Sequence, residues 1–357
     1  DAAPLLRARA GADAPAFARG LARWAPGPCL RGADAAVHAL ECRLPVPDGM
    51  CDLLREQRPD VVVVTPLVYF RSDQVVLLRA ARQCGIPTVY ATGSWDHLTS
   101  KGLVHDTPDA VLTWNPSQIE ECVHLHGLPR ARCRATGAQA FDHWFDYQPV
   151  TTRPAFCADA GLPPDRPILL YLCSSTFIAG DERGFVRDWL AAVRTSGHPA
   201  LAGAGVLIRP HPQNAEQWRG ERFDDGLTVV WPRAGANPVG DAARADFYHS
   251  IYFSAAVVGV NTSAQIESAV VGRPVFSMLS ERYSGTQSGT LHFRHLRGSG
   301  GGLLHEASSV QEHCAQLADA LDGRVDASAR SARFVESFVR PHGRDKNAGE
   351  VFARYVA

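Results

Sequence analysis

The chain has 357 residues, of which 45% are hydrophobic and 20% charged, and its formal net charge is −1. This length accommodates two domains of ordinary size, and the balanced charge argues against a nucleic-acid partner held by a general basic field. No apolar run reaches the roughly 18 residues that span a bilayer, so we expect a cytoplasmic protein and leave peripheral association with the inner face of the membrane open.

The first half of the chain alternates short apolar runs with helical stretches, the pattern of a parallel sheet covered on both faces. The segment 1–20 opens without a strand and a Gly-rich turn, which predicts that a first βα unit is missing from these residues. In chain order the pattern then predicts a strand at 60–66, a helix at 72–85, strands at 86–92 and 109–115, a helix from Pro116 and a strand at 131–138.

The segment 147–166 is rich in proline and reads as a linker, because the alternation restarts after it. Strands are predicted at 167–175, 205–210, 227–231, 255–261 and 274–279, and helices at 182–197, 241–254 and 264–272. The predicted fold is therefore α/β, with two Rossmann-like domains, 1–148 and 149–339, facing a cleft. Ligands of open α/β sheets bind beyond the carboxyl ends of the strands, so the strand-to-helix junctions are the places to search.

The first notable junction is "IRPHPQN", where a buried strand stops at two prolines. Each proline fixes its own φ and disfavours helix for the residue before it, so His211 is predicted to be held extended. Such a ring can donate to an anionic oxygen, and Arg209 can add a bidentate guanidinium contact. The alternative is a polar corner between two prolines.

A second junction, "GVNTSAQIES", ends a strand in Asn261, Thr262 and Ser263 and then begins a helix. One small polar residue is an ordinary helix cap, but an open helix start also seats a phosphate. Glu267, about one turn later, can accept from a ribose hydroxyl. The alternative for Glu267 is a solvated helix face.

A third junction at 280–296 is dense in Gly, Ser and Thr and adjoins the same strand ends. We expect it either to close over a sugar or nucleotide or to form a flexible surface loop. Its predicted contact residues are Thr286, Gln287, Thr290 and His292. The "GSGGGLL" run at 298–304 lacks the spacing of either phosphate-binding glycine fingerprint.

In the first domain, "ATGSWDHLTSKG" at 91–102 follows a strand end. Asp96 or His97 there is a candidate general base that removes a proton from a hydroxyl, although a carboxylate after a strand is also a common helix cap. Tyr69 and Arg71 are further candidates for the lining of the same site.

Two Rossmann-like halves, the His-Pro motif and the Ser/Thr motif together resemble the GT-B glycosyltransferases. The nearest branch is that of the bacterial sialyl-, polysialyl- and Kdo-transferases and the CDP-glycerol glycerophosphotransferases. This resemblance implies that His211 with Pro212, and Thr262 with Ser263, bind the cytidine phosphate of the donor. It also implies that 340–357 forms a terminal helix packing back on the first domain. The acidic-acidic-glycine motif that supplies the base in the sialyltransferases has no clear copy here, because Asp181-Glu182 lies in the second domain.

The function expected from this resemblance is a metal-independent glycosyltransferase of envelope or capsule polysaccharide synthesis. It would move a sugar or polyol phosphate from a CMP- or CDP-linked donor to a glycan or lipid-linked acceptor, without a cofactor. The nine cysteines contain no CxxC pair, which predicts neither a zinc site nor disulfides. Two alternatives stay open, a non-hydrolysing nucleotide-sugar 2-epimerase and a non-catalytic nucleotide-sugar binding protein, and a homodimer is compatible with each.

Overall fold

The computed structural model describes residues 15–24, 27–41, 43–69, 72–232, 235 and 237–357. The chain divides into two compact units, which are described separately. The first comprises the described residues up to Ala138 together with Ala348–Ala357, and the second comprises Gln139–Asn347. Among the described residues, no helix has both the length and the apolar character required to cross a bilayer.

The first unit is built on four parallel strands in the order β1-β2-β3-β4. The strands are β1 Val62–Val64, β2 Thr88–Ala91, β3 Ala110–Thr113 and β4 Cys133–Ala135, and the helices are α1 Ala16–Trp24, α2 Gly27–Glu41, α3 Asp48–Gln57, α4 Gln74–Gln83, α5 His97–Ser100 and α6 Pro116–His126. The start of α6 follows the sequence rules, because Asn115 caps the backbone N–H of Gln118 at 3.1 Å and Pro116 occupies the first turn.

The second unit contains six parallel strands in the order β10-β9-β8-β5-β6-β7. The strands are β5 Ile168–Leu172, β6 Gly205–Arg209, β7 Thr228–Val230, β8 Ala256–Gly259, β9 Val275–Met278 and β10 Leu304–Ala307. The helices are α7 Asp142–Phe145, α8 Arg153–Ala160, α9 Arg183–Arg194, α10 Pro199–Ala202, α11 Asp241–Tyr252, α12 Ala264–Val270, α13 Phe293–Gly298, α14 Val310–Leu321 and α15 Ala327–Phe334, followed by α16 Ala348–Val356, which belongs to the first unit.

The strand order of the second unit fixes where a ligand can bind. Numbered from β5, the order is the doubly wound 3-2-1-4-5-6, in which the winding reverses between the first and fourth strands. That switch point lies between β5 and β8, where Leu172 pairs with Gly259, and Leu172 also pairs with Arg209 of β6. The residues that follow β5, β6 and β8 therefore meet at one edge of the sheet.

The predicted fold class, two parallel α/β domains with a C-terminal helix returning to the first, is confirmed. The sequence interpretation missed β10 and the two helices after it, and the segment 147–166 that it read as a linker contains helix α8. The reason is visible in β10, an edge strand whose central residues His305 and Glu306 are polar and partly exposed, so it lacks the apolar run that identified the other strands.

Candidate functional site

His211 is held at the carboxyl end of β6 as the sequence predicts. Its backbone is extended, with φ −71° and ψ 134°, and its Nδ1 accepts a hydrogen bond from the backbone N–H of Gln213 at 3.2 Å. An accepting Nδ1 assigns the proton to Nε2. Burial lowers the pKa of the ring, so the imidazole is neutral at pH 7 and presents a fixed Nε2–H donor.

Arg209 faces away from a bidentate anion contact and into α11. Its Nη1 donates to Oδ2 of Asp246 and to Oγ of Ser250, each at 2.7 Å. The side chain is only 5% exposed, and Nη2 is enclosed without a hydrogen-bond partner among the described residues. Burial lowers the pKa of the guanidinium, while Asp246 opposes that shift. The side chain thus anchors α11 on β6 and adds positive charge beneath the edge.

Glu267 lies on α12 beside this charge. Its Oε1 accepts a hydrogen bond of 3.2 Å from the indole Nε1 of Trp144, and Trp144 stacks on Tyr248 with ring centroids 5.8 Å apart. Burial raises the pKa of Glu267 to about 7, against the lowering effects of Trp144 and Arg209. The carboxyl therefore exists in both protonation states near neutral pH and can donate or accept a proton.

The three residues of the Asn-Thr-Ser cluster lie in three different environments. Asn261 is buried, and its Nδ2 lies 2.8 Å from the Thr286 carbonyl and 3.1 Å from Nε2 of His292. Oγ1 of Thr262 accepts from the backbone N–H of Ala264 at 3.4 Å, as a helix cap does. Ser263 is exposed, and its side chain makes no cap bond. Of the three side chains, Ser263 is the one open to a ligand.

The segment 280–292 is pinned to the strand ends. Gln287 is fully buried, and its Nε2 donates to backbone carbonyls that follow β8 and end β9, at 3.0 and 3.1 Å. Thr286 Oγ1 donates to the Ile178 carbonyl at 2.6 Å, and Thr290 Oγ1 donates to the Gln287 carbonyl at 2.8 Å. The predicted contact residues Thr286, Gln287, Thr290 and His292 are thus brought together beside Asn261, mainly through bonds that order the segment itself.

The loop after β5 contributes residues that the sequence interpretation missed. The backbone N–H of Ser174 donates to Oε2 of Glu182 at 2.8 Å, and Tyr171 donates to Oε1 at 3.0 Å. Glu182 has no exposed surface, and burial raises its pKa to about 7. Asn214 joins this loop to the His211 segment by donating to the Ser174 carbonyl at 3.2 Å. The sequence did contain one indication of this loop, because the Ser174-Ser175 pair follows β5 in the same way as Thr262-Ser263 follows β8.

Asp96 and His97 belong to the first unit. Oδ1 of Asp96 accepts from the Ser94 hydroxyl and Oδ2 from the Ser100 hydroxyl, each at 2.7 Å. Nζ of Lys101 lies 3.0 Å from Oδ2. The carboxylate thus links Ser94 to the end of the short helix α5, but it makes no cap bond to a backbone N–H of that helix, so the helix-cap alternative is not what the structure shows. The carboxylate is partly exposed and is oriented by three donors.

His97 is buried beside Asp96, and its ring meets the ring of Tyr69 edge-on at 5.7 Å. Burial lowers the pKa of His97 despite the charge of Asp96, so the ring is neutral at pH 7. Arg71 lies outside the described residues. Within the described ranges, no group of three His, Cys, Asp or Glu side chains is arranged to hold a metal ion.

No family model matches the sequence, and no curated protein matches it. Solved structures do. A protein from Listeria monocytogenes named as a UDP-N-acetylglucosamine 2-epimerase is 15% identical with a TM-score of 0.55, over 90% of this chain and 79% of that one. A UDP-GlcNAc 2-epimerase from Neisseria meningitidis is 12% identical with a TM-score of 0.53, over 87% and 79%. A glycosyltransferase from Rickettsia africae is 8% identical with a TM-score of 0.51, over 86% and 79%.

These matches confirm the GT-B fold and correct the predicted function. The prediction of a glycosyltransferase with a CMP- or CDP-linked donor is wrong, because matching structures from several organisms are named as UDP-GlcNAc 2-epimerases. One of them was solved in complex with UDP-GlcNAc and UDP. The comparison favours the alternative reading, a non-hydrolysing nucleotide-sugar epimerase. It does not extend to the resemblance with sialyl- and Kdo-transferases in particular.

Proposed function

We propose that this protein is an enzyme that binds a UDP-linked N-acetyl sugar and inverts the sugar at C2 without hydrolysing the nucleotide bond. The names of the proteins that share its fold support this choice over other nucleotide-sugar reactions. The nucleotide would lie at the carboxyl edge of the second sheet, at the switch point between β5 and β8.

The observation that carries the proposal is the fixed imidazole of His211. Because Nδ1 is occupied by the Gln213 N–H, Nε2–H is a preorganised donor for a diphosphate oxygen, which costs no reorganisation when charge develops there. Ser263, exposed at the start of α12, would add a hydroxyl donor to the same phosphates. Glu267 would accept from the ribose hydroxyls in its ionised form.

Epimerisation needs a proton acceptor as well as a nucleotide-binding site. Inversion at a carbon that carries one hydrogen requires that a proton leaves one face and returns to the other, so a carboxylate or imidazole must be within reach. We propose Asp96 and His97, the candidate general bases that the sequence predicts, for this role. Glu182, although its pKa also lies at about 7, is fully buried and would act by fixing the loop after β5.

The direct experiment incubates the protein with UDP-GlcNAc alone in D₂O and follows the sugar by NMR. The proposal predicts that the C2 epimer appears and that deuterium enters at C2, because the proton that returns comes from solvent. His211→Ala should slow the conversion, whereas His124→Ala, a change at an exposed imidazole on α6, should not. Binding of UDP-GlcNAc with neither epimer nor deuterium would refute the enzyme and leave a binding protein.

A further inference from the structure

A polar cavity of about 370 Å³ lies against the edge strand β10. Its lining includes Arg297, Glu306, Gln316 and Arg330 together with Gly301. None of these residues belongs to the edge formed by the ends of β5, β6 and β8. Its volume is near the lower end of the range for small-molecule pockets, roughly 300 Å³ upward.

The charges of the lining do not cancel. Nε of Arg297 pairs with Oε1 of Glu306 at 2.7 Å. Arg330 has no ion pair within the part of the chain that the structure describes, and its Nη1 donates to the Leu304 carbonyl at 2.6 Å. Burial, reinforced by the charge of Arg330, lowers the pKa of the neighbouring His305 to about 4, so that ring is neutral. The cavity therefore carries one uncompensated positive charge.

The glycine run at 298–302 explains how the wall stays open. Gly302 has φ +89°, and a Cβ there would lie 2.5 Å from the Arg297 carbonyl, so the turn requires glycine. Gly301 has φ +85°, and a Cβ there would have no atom within 4 Å. A larger residue at that position would be strained and would project from the wall of the cavity. The run that lacks a phosphate-binding fingerprint thus shapes this cavity.

Capping of the sheet edge accounts for only part of the arrangement. Arg330 donates to the Leu304 carbonyl, and Gln316 Nε2 donates to the Glu306 carbonyl at 2.8 Å, which protects an exposed edge strand. Gln316 shows that a neutral side chain can donate to a carbonyl of the edge strand. Capping therefore does not require the guanidinium charge at position 330, nor the other nitrogens of its planar fork, which suit an oxyanion.

We infer that this cavity is a second binding site, for a small molecule with one anionic carboxylate or phosphate group, and that Arg330 is its charge partner. The fork of Arg330 would bind the oxyanion, and the Arg297–Glu306 pair at the rim would meet polar groups of the same ligand. The site is independent of the nucleotide seat proposed above.

The test is calorimetric titration of the full chain with inorganic phosphate and, separately, with acetate at constant ionic strength. At least one of the two should bind saturably at a site that depends on Arg330, and the stronger binder at that site identifies the oxyanion. Arg330→Gln keeps a donor for the Leu304 carbonyl and should weaken binding about tenfold or more, the effect of one charge-assisted pair. Arg324→Gln, an equal charge change at a surface arginine paired with Asp319 and Asp322, should leave affinity unchanged.

Two further variants keep the inference falsifiable if Arg330→Gln folds poorly. Glu306→Gln should tighten binding, because it raises the net charge of the lining to two. The binding event that Arg330→Gln weakens should persist in His211→Ala, which separates this site from the proposed nucleotide site whether or not the epimerase proposal holds. Equal affinity in Arg330→Gln and the parent protein, no gain in Glu306→Gln, or no saturable binding of either anion would overturn the inference.

Discussion

The indole Nε1 of Trp144 donates to Oε1 of Glu267 at 3.2 Å, across 123 positions of sequence. Trp144 is buried and stacks on Tyr248, so the donor cannot easily turn away. A helix of four residues, α7, thereby adjusts the proton affinity of the carboxyl that we assign to ribose binding.

Affinity for UDP should fall as the pH drops through about 7, because burial raises the pKa of Glu267 to about 7 and the ionised form is the stronger acceptor of hydrogen bonds from hydroxyls. The indole N–H of Trp144 lowers the pKa of Glu267. Trp144→Phe keeps the stacking and removes this N–H, so the pKa should rise and the midpoint of the UDP affinity should move to higher pH. Calorimetry between about pH 6 and 8 measures both effects. A midpoint that persists in Glu267→Gln would assign the titration to another group.

Asp246→Ala should cost about 3–5 kcal/mol of unfolding free energy, the penalty for stranding a buried charge. Arg209 is 5% exposed, and its side-chain bonds go to Asp246 and Ser250. Asp241→Ala on the same helix removes a fully exposed carboxylate and should leave the stability almost unchanged. Urea unfolding of the two variants gives the comparison, and equal small losses would show that Arg209 does not depend on its carboxylate.

Acid should destabilise the second unit through His313. This ring is fully buried, neither nitrogen has a hydrogen-bond partner in the described residues, and burial lowers its pKa to about 4. In the unfolded chain His313 takes up a proton near pH 6.5, whereas in the folded chain it does so only near pH 4. The folded state is therefore fully stable above pH 6.5 and loses stability as the pH falls from 6.5 to about 4. The loss is at most about 1.4 kcal/mol per pH unit for this group.

His313→Leu should reduce that slope, while His124→Leu, at an exposed position on α6, should leave it unchanged. Urea midpoints measured across the window report the difference. An unchanged slope in His313→Leu would assign the acid sensitivity elsewhere, and the half-buried imidazole of His305, whose pKa is also about 4, would be the next candidate.

Asp96→Asn should preserve nucleotide affinity and abolish epimerisation if the carboxylate moves the proton. The amide oxygen can still accept from Ser94 or Ser100, so α5 should stay ordered, while the charge that pairs with Lys101 is lost. Measured kcat and UDP affinity separate the two effects. Asp52→Asn, an exposed partner of Arg55 on α3, is the matched control, and full turnover in Asp96→Asn would leave Asp96 as a helix anchor only.

The parallel α/β architecture and the extended backbone of His211 could be predicted because both are local properties of the chain. Apolar runs mark strands that are buried on both faces, and His211 is held extended by prolines on either side of it. The hydrogen-bond partner of each polar side chain could not be predicted, because tertiary packing determines which groups meet. Nothing near Arg209 in sequence indicates that α11 captures its guanidinium, and nothing near Gln287 indicates a buried anchor.

The missed residues have a related cause. Glu182 lies ten positions beyond the end of β5, and its burial depends on Tyr171 and Ser174 closing over it. The predicted function failed for a different reason, because proteins named as epimerases and as a glycosyltransferase share this fold. A fold does not identify the reaction that it supports.

The central claim, a uridine nucleotide held at the end of β6 and the start of α12, is tested most directly by titrating the protein with UDP, CDP, CMP and GDP in a calorimeter. UDP should bind at one site and more tightly than the other three. His211→Ala should weaken UDP by about tenfold or more, as expected for one hydrogen bond to a charged group. Tighter binding of CDP or CMP than of UDP, or UDP affinity unaltered in His211→Ala, would contradict the account.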